Sequence, residues 1–252
     1  MFRRLASTTI LLFLLPSAGP VLAGSGPDRV QVEPEQVRIG MFYSGQVIRV
    51  KASTPASADV VMRITGREEP LVLKKKGKKY GILWMNVGEV HYEAIPTLYL
   101  LRSSRGLDEI AAPEDLRRLN LGFDAIKDRI PAGSKDEARK LFGELVKLQK
   151  KAHLFSCEAA GIQLHPAGAG RQEAVGEFFL PAKTPVGDYT IDVFSFQGRD
   201  GELIGTAAVH LERSAVVSSI TSLAVNHGLL YGCLAVAVAV LAGLFTGWIF
   251  GR

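Results

Sequence analysis

Pro185-Val186-Gly187-Asp188-Tyr189 runs into Thr190-Ile191-Asp192-Val193-Phe194-Ser195-Phe196, and Gly198-Arg199-Asp200-Gly201 follows after Gln197. The apolar and polar residues that alternate from Tyr189 to Val193 put successive side chains on opposite faces, as in a strand with one face in a core. Glycine and aspartate between 198 and 201 supply a hairpin turn, and residues 203–211 then return to strand pattern. A corner, a strand, a tight turn and a second strand make an antiparallel pair. Two strands alone are marginal in water, so the remaining chain must supply their partners.

Toward the amino terminus, residues 30–41, 46–53, 59–65 and 71–75 combine alternation with β-branched residues, and 80–86, 89–93 and 98–102 continue the pattern. Pro55, Gly66, Pro70 and Gly77 punctuate these runs. The period then lengthens. Pro113 suits a first helical position, Ser134 and Glu137 have capping-box spacing, and Ala138, Leu141, Phe142, Leu145, Leu148 and Ala152 recur at helical intervals. Residues 107–156 are therefore predicted to be helical, and strand patterns resume at 161–165 and 174–180. Neither strand set alone offers much core. The predicted fold is mainly β, an immunoglobulin-like β-sandwich built from both sets with an α-helical insertion at 107–156; a split into two domains at the helices is the alternative. The corner at 185–189 resembles the approach to the penultimate strand of immunoglobulin-like domains, where a tyrosine pins the turn.

Residues 1–23 combine Arg3 and Arg4, an apolar run at 5–15 and Val21-Leu22-Ala23, the layout of a cleaved signal peptide. Residues 228–250 carry no charge and would span about 34 Å as a helix, enough to cross a bilayer. Tyr231 and Trp248 sit near opposite ends, where aromatic rings favour the interfaces. The predicted organisation is a signal peptide at 1–23, an exported domain at 24–226, and a transmembrane anchor at 227–252 ending in the cytoplasmic pair Gly251-Arg252. Three of the basic residues behind the net charge of +5, Arg3, Arg4 and Arg252, lie in or beside these membrane-directed segments. The remainder is near balance, which argues against nucleic acid as a partner. Two cysteines, Cys157 and Cys233, provide neither a disulfide framework nor a four-thiolate metal site.

No Gly-x-Ser-x-Gly elbow, Ser-x-x-Lys pair or phosphate-binding glycine loop occurs, so no catalytic residue is assigned and no enzyme is predicted. His153, Cys157 and His165 are the closest set of metal-ligand types, with the first two spaced as on one helical face. They lack a fourth ligand at defined spacing, and Cys157 reads better as a small, partly buried hydrophobe; no metal or other cofactor is predicted. Lys74-Lys75-Lys76-Gly77-Lys78-Lys79 concentrates charge at a hairpin tip. It reads as a contact for lipid phosphates or an acidic partner, or more plainly as solvated lysines that protect an edge strand. Arg102-Ser103-Ser104-Arg105, at a strand-to-helix transition, has the donors for a small oxyanion, against the plainer role of helix capping. In the terminal helix Ala235, Ala239, Gly243 and Gly247 recur every fourth residue, a small-residue stripe that admits a second membrane helix.

Several stretches carry a resemblance. They are Lys78-Lys79-Tyr80-Gly81-Ile82-Leu83-Trp84-Met85-Asn86, Ile95-Pro96-Thr97-Leu98-Tyr99, the run from Arg102 to Ala111, Phe179-Leu180-Pro181-Ala182, the corner at 185–189, and Leu229-Leu230-Tyr231-Gly232. Together they resemble a family of uncharacterised bacterial transmembrane proteins described chiefly from alphaproteobacteria. The resemblance implies a signal peptide, a periplasmic region, one carboxy-terminal helix in the inner membrane, and genes associated with permeases resembling sulfite or sulfonate exporters. The expected role is a non-catalytic accessory or assembly subunit of a polytopic inner-membrane protein, such as an anion permease of that type. A periplasmic module that binds or senses a small oxyanion is the alternative.

Overall fold

The computed structural model describes residues 30–79, 83–130 and 136–250. The expected signal peptide at 1–23, residues 80–82, Ser134 of the capping box and the pair Gly251-Arg252 lie outside the described residues. The fold is mainly β. Ahead of the helices come β1 (Val30–Glu33), β2 (Gln36–Ile39), β3 (Gly45–Pro55), β4 (Asp59–Gly66), β5 (Glu68–Lys79), β6 (Leu83–Pro96) and β7 (Tyr99–Ser103). After them come β8 (Phe155–Glu158), β9 (Ile162–Gly168), β10 (Arg171–Pro181), β11 (Gly187–Gln197) and β12 (Asp200–Arg213).

One sheet has the order β1-β3-β10-β9 and a second the order β2-β12-β11-β4-β7-β8. β3 pairs antiparallel with β10 and β4 with β11, so strands from both sides of the helices share each sheet. The two sheets close on one core, in which Ile48, Val50, Phe178 and Leu180 of the first meet Met62, Ile64, Ile191, Val193 and Leu211 of the second. The strand predicted at 30–41 divides at Pro34, which has no N–H to give a ladder. β1 pairs with β3 in one sheet, and β2 lies parallel to β12 in the other.

Among its described residues, the stretch predicted as helical, 107–156, holds four helices and the start of a strand: α1 (Leu107–Ile110), α2 (Pro113–Arg118), α3 (Phe123–Asp128), α4 (Asp136–Lys151) and then β8. Pro113 takes the first helical position of α2, as its fixed φ favours. Asn120 at φ 55° and Gly122 at φ 88° turn the chain between α2 and α3. α4 closes on a left-handed His153 at φ 59°; Leu154 N–H donates to Gln149 O over 2.9 Å and His153 N–H to Lys150 O over 3.0 Å. Phe155 falls in helical step with Ala152, which hides the strand from a periodicity argument; in the structure β8 lies parallel to β7.

These helices cover the outer face of the second sheet. Tyr99, Leu101, Phe194 and Phe196 bury there against Ile110, Leu121, Ile126, Phe142 and Leu145, joined by Val90 and Tyr92 of β6. β11 is thus buried on both faces, with a register shift between Val193 and Phe194. At its entrance Tyr189 Oη donates to Pro185 O over 2.6 Å, and burial pushes the phenol up to about 12. Gly66 of β4 lies against that ring; a Cβ there would stand 2.8 Å from Tyr189 Cε1, closer than a side chain can come.

Candidate functional site

Past β12 the chain forms α5 (Ala215–Asn226) and α6 (Gly228–Phe250). No separate element is predicted from the sequence at 215–226. The signal of α5 is the interval of Val217, Ile220 and Ala224, obscured by β-branched and hydroxyl residues that have modest helix propensity. His227 separates the two helices, and Tyr231 N–H donates to His227 O over 3.0 Å as α6 resumes.

α6 runs 23 residues without a charge and is long and apolar enough to cross a membrane. None of its residues is buried, and a Cβ at Gly232, Gly243 or Gly247 would meet nothing within 4 Å. At about 100° per residue, Ala235, Ala239, Gly243 and Gly247 fall on one side and Leu234, Leu241, Phe245 and Trp248 on the other. The rings of Phe245 and Trp248 lie 6.4 Å apart on the bulky side. Thr246 Oγ1 donates to Ala242 O over 2.8 Å, so this hydroxyl is engaged within the helix. In lipid, apolar area does not drive helices together and close packing does. A helix divided in this way has room for a second backbone on its small side and carries its bulk on the other.

The quartet from Arg102 to Arg105 does not converge on one ligand. Arg102 points into the inter-sheet side, with its guanidinium 5.6 Å over the Phe178 ring and 2.9 Å from Glu158. Ser103 is buried and donates to Arg105 O over 2.5 Å. Ser104 Oγ donates to Asp59 over 2.9 Å, and Arg105 Nε reaches the same carboxylate over 2.9 Å, its second nitrogen bonding the other oxygen. The Arg105 guanidinium, with help from Ser104, holds the Asp59 carboxyl below the usual carboxylate range. Neither serine caps the helix that follows, since α1 has no side-chain cap.

Arg102 instead joins residues that no local pattern groups with it. A cleft of about 330 Å³ is lined by Arg102, Lys150, His153, Cys157, Glu158 and Phe178, drawn from β7, α4 and its close, β8 and β10. Burial pushes the Cys157 thiol up, which leaves little thiolate. His153 and Cys157 do not share a helical face, because α4 ends at Lys151, before both, and Cys157 lies on β8; His165 lies on β9 in the other sheet. Among the described residues no group of three His, Cys, Asp or Glu side chains is placed to hold a metal ion.

The lysine run lies along β5 next to the tip of its hairpin with β6. Lys74 stands opposite Glu89, Lys75 opposite Gly88, Lys76 opposite Asn86, Lys78 opposite Trp84 and Lys79 opposite Leu83. Lys75 Nζ is bonded to Glu137 of α4 at 2.6 Å, and Lys78 Nζ lies 5.5 Å from the centre of the Trp84 ring.

Residues 29–252 match the model of a family described as "Putative transmembrane protein (Alph_Pro_TM)". No curated protein matches the chain. Among solved structures, the N-terminal domain of the Streptococcus gordonii adhesin Sgo0707 is similar over 73% of this chain and 32% of that chain, at 7% identity and a TM-score of 0.28. A likeness that slight carries no argument about fold or function.

Proposed function

This chain belongs to the Alph_Pro_TM family, and from that premise we propose that it is a single-pass, non-catalytic accessory or assembly subunit of a polytopic inner-membrane protein. The observation that carries this reading is the two-sided α6, whose small face nothing else among the described residues covers. In this reading the sheet body stands in the periplasm, α6 crosses the inner membrane, and Arg252 remains on the cytoplasmic side, in keeping with the positive-inside rule. The family resemblance nominates an anion permease of the sulfite or sulfonate type as partner.

The test is affinity purification of the full chain from mild-detergent membranes. Gly243→Leu and Gly247→Leu hold a neighbouring backbone away, whereas Ala237→Leu adds bulk on the opposite side of the helix. A polytopic protein should be recovered in constant ratio with the wild type and with Ala237→Leu, and severalfold less with either glycine variant, at equal membrane abundance. Recovery that ignores all three substitutions contradicts the reading.

The cleft beside Arg102 favours a second reading, a module that binds a small oxyanion. There Arg102 and Lys150 would supply the positive charge, with the anion competing against Glu158. That reading predicts a sulfate- or sulfite-dependent rise in Tm that Arg102→Ala removes; no rise with either anion contradicts it.

A further inference from the structure

We propose that the outer end of the β5–β6 hairpin is a second membrane contact of this protein, binding the anionic lipid surface beside the α6 anchor. Residues opposite one another in an antiparallel ladder share a face, so the register sorts the hairpin into two sides. At its inner end Leu71, Leu73, Val90 and Tyr92 turn toward the helical layer and pack there. Lys75 continues that side, since it reaches Glu137 of α4. Beyond Lys75 the same side carries the pairs Gly77 with Met85 and Lys79 with Leu83. The register shift between Lys75 and Lys76 adds Val87 to it; a Cβ on Gly77 would stand 2.8 Å from Val87 Cγ2, so that side chain lies over the glycine.

The core-facing stripe of the hairpin therefore runs on past the body that buries it. Leu83 is 64% exposed, Met85 43% and Val87 49%. On the opposite side stand Lys74, Lys76 and Lys78 with Trp84, which is 68% exposed. Glu89 stands on that side too, opposite Lys74. Lysines placed only to protect a sheet edge do not account for a continuous apolar stripe beneath them. An apolar face that enters the headgroup boundary, with lysines whose stems snorkel to phosphate and a tryptophan at the interface, accounts for both. The occupant is a bilayer because the charge is almost wholly basic and because the chain carries its own membrane helix. With α6 inserted, residues 214–227 link β12 to the anchor and so tether the sheet body that carries the hairpin to a bilayer.

The chain has two tryptophans, Trp84 and Trp248, so Trp248→Phe leaves Trp84 as the sole reporter in the full-length protein. This variant is reconstituted in vesicles of phosphatidylcholine alone and in vesicles containing phosphatidylglycerol, with and without brominated acyl chains. In the anionic vesicles Trp84 emission should move to shorter wavelength and be quenched by the bromines. High salt and the combined Lys74→Gln, Lys76→Gln and Lys78→Gln variant should each remove most of both effects. Emission that is unquenched in anionic vesicles overturns the proposal, as does quenching of equal size in both lipids. The salt arm needs no lysine substitution, and circular dichroism of the triple variant shows whether its sheets are intact. No partner protein is present, so the outcome is independent of what α6 packs against.

Discussion

Tyr189 reaches back to Pro185 O, and Gly66 leaves room for the ring on the neighbouring strand. Removing the hydroxyl in Tyr189→Phe should cost about 1 kcal/mol, measured by denaturant unfolding. The pH dependence has a definite sign. Folded Tyr189 holds its proton up to about 12, while an unfolded tyrosine releases it near about 10. Its contribution is thus intact below the lower value and is lost as pH rises toward the upper one, so Tyr189→Phe should flatten part of the alkaline loss of stability. Arg63 and Asp192 are paired at 2.6 Å with side chains 16% and 11% exposed. Arg63 also donates to Asn120 O over 2.8 Å, and Thr206 Oγ1 to Asp192 over 2.9 Å, which ties the second sheet to the turn between α2 and α3. Asp192→Ala leaves the guanidinium buried without its counter-charge and should cost about 3 kcal/mol. An unfolding midpoint within error of wild type would refute this. Neither partner choice was legible in the sequence, because pairing across strands β4 and β11 is set by a register that only the folded sheet defines.

At the scale of elements, α4 ends on His153 in a left-handed conformation that a Cβ disfavours. His153→Gly should therefore stabilise the protein by about 0.5 to 1 kcal/mol, read as a raised Tm, provided the glycine keeps the same close. Strand alternation is legible where one face of a strand is polar, as at 46–53 and 174–180, and the β-branched and aromatic runs at 59–65 and 189–196, buried on both faces, also fall inside strands of the structure. It falters at three places for physical reasons. Residues 30–41 look like one strand until Pro34 sends the chain from one sheet to the other. β8 is four residues long and in step with the preceding helix. α5 is built from residues whose propensity favours strands, and its helix follows from context. The lysine run was legible as charge, but the apolar stripe of Leu83, Met85 and Val87 was not, since it depends on a register shift that moves Val87 onto the face of Gly77.

For the whole molecule, the second sheet lies between two cores, one closed by the first sheet and one by the helices and the hairpin base. Both cores are rooted outside α6, and the small stripe on α6 is legible in the sequence because helical spacing needs no tertiary knowledge. The Arg102 cleft is not, because its lining comes from elements distant along the chain. Whether α6 packs by its small side is decided by photo-crosslinking in intact membranes, with a photoreactive residue placed at Ala239 or Gly243 on the small side and at Leu241 or Phe245 on the bulky side. The first pair should crosslink to a polytopic inner-membrane protein and the second should give lipid adducts alone. Equal crosslinking from both sides, or a product joining two copies of this chain, would contradict this.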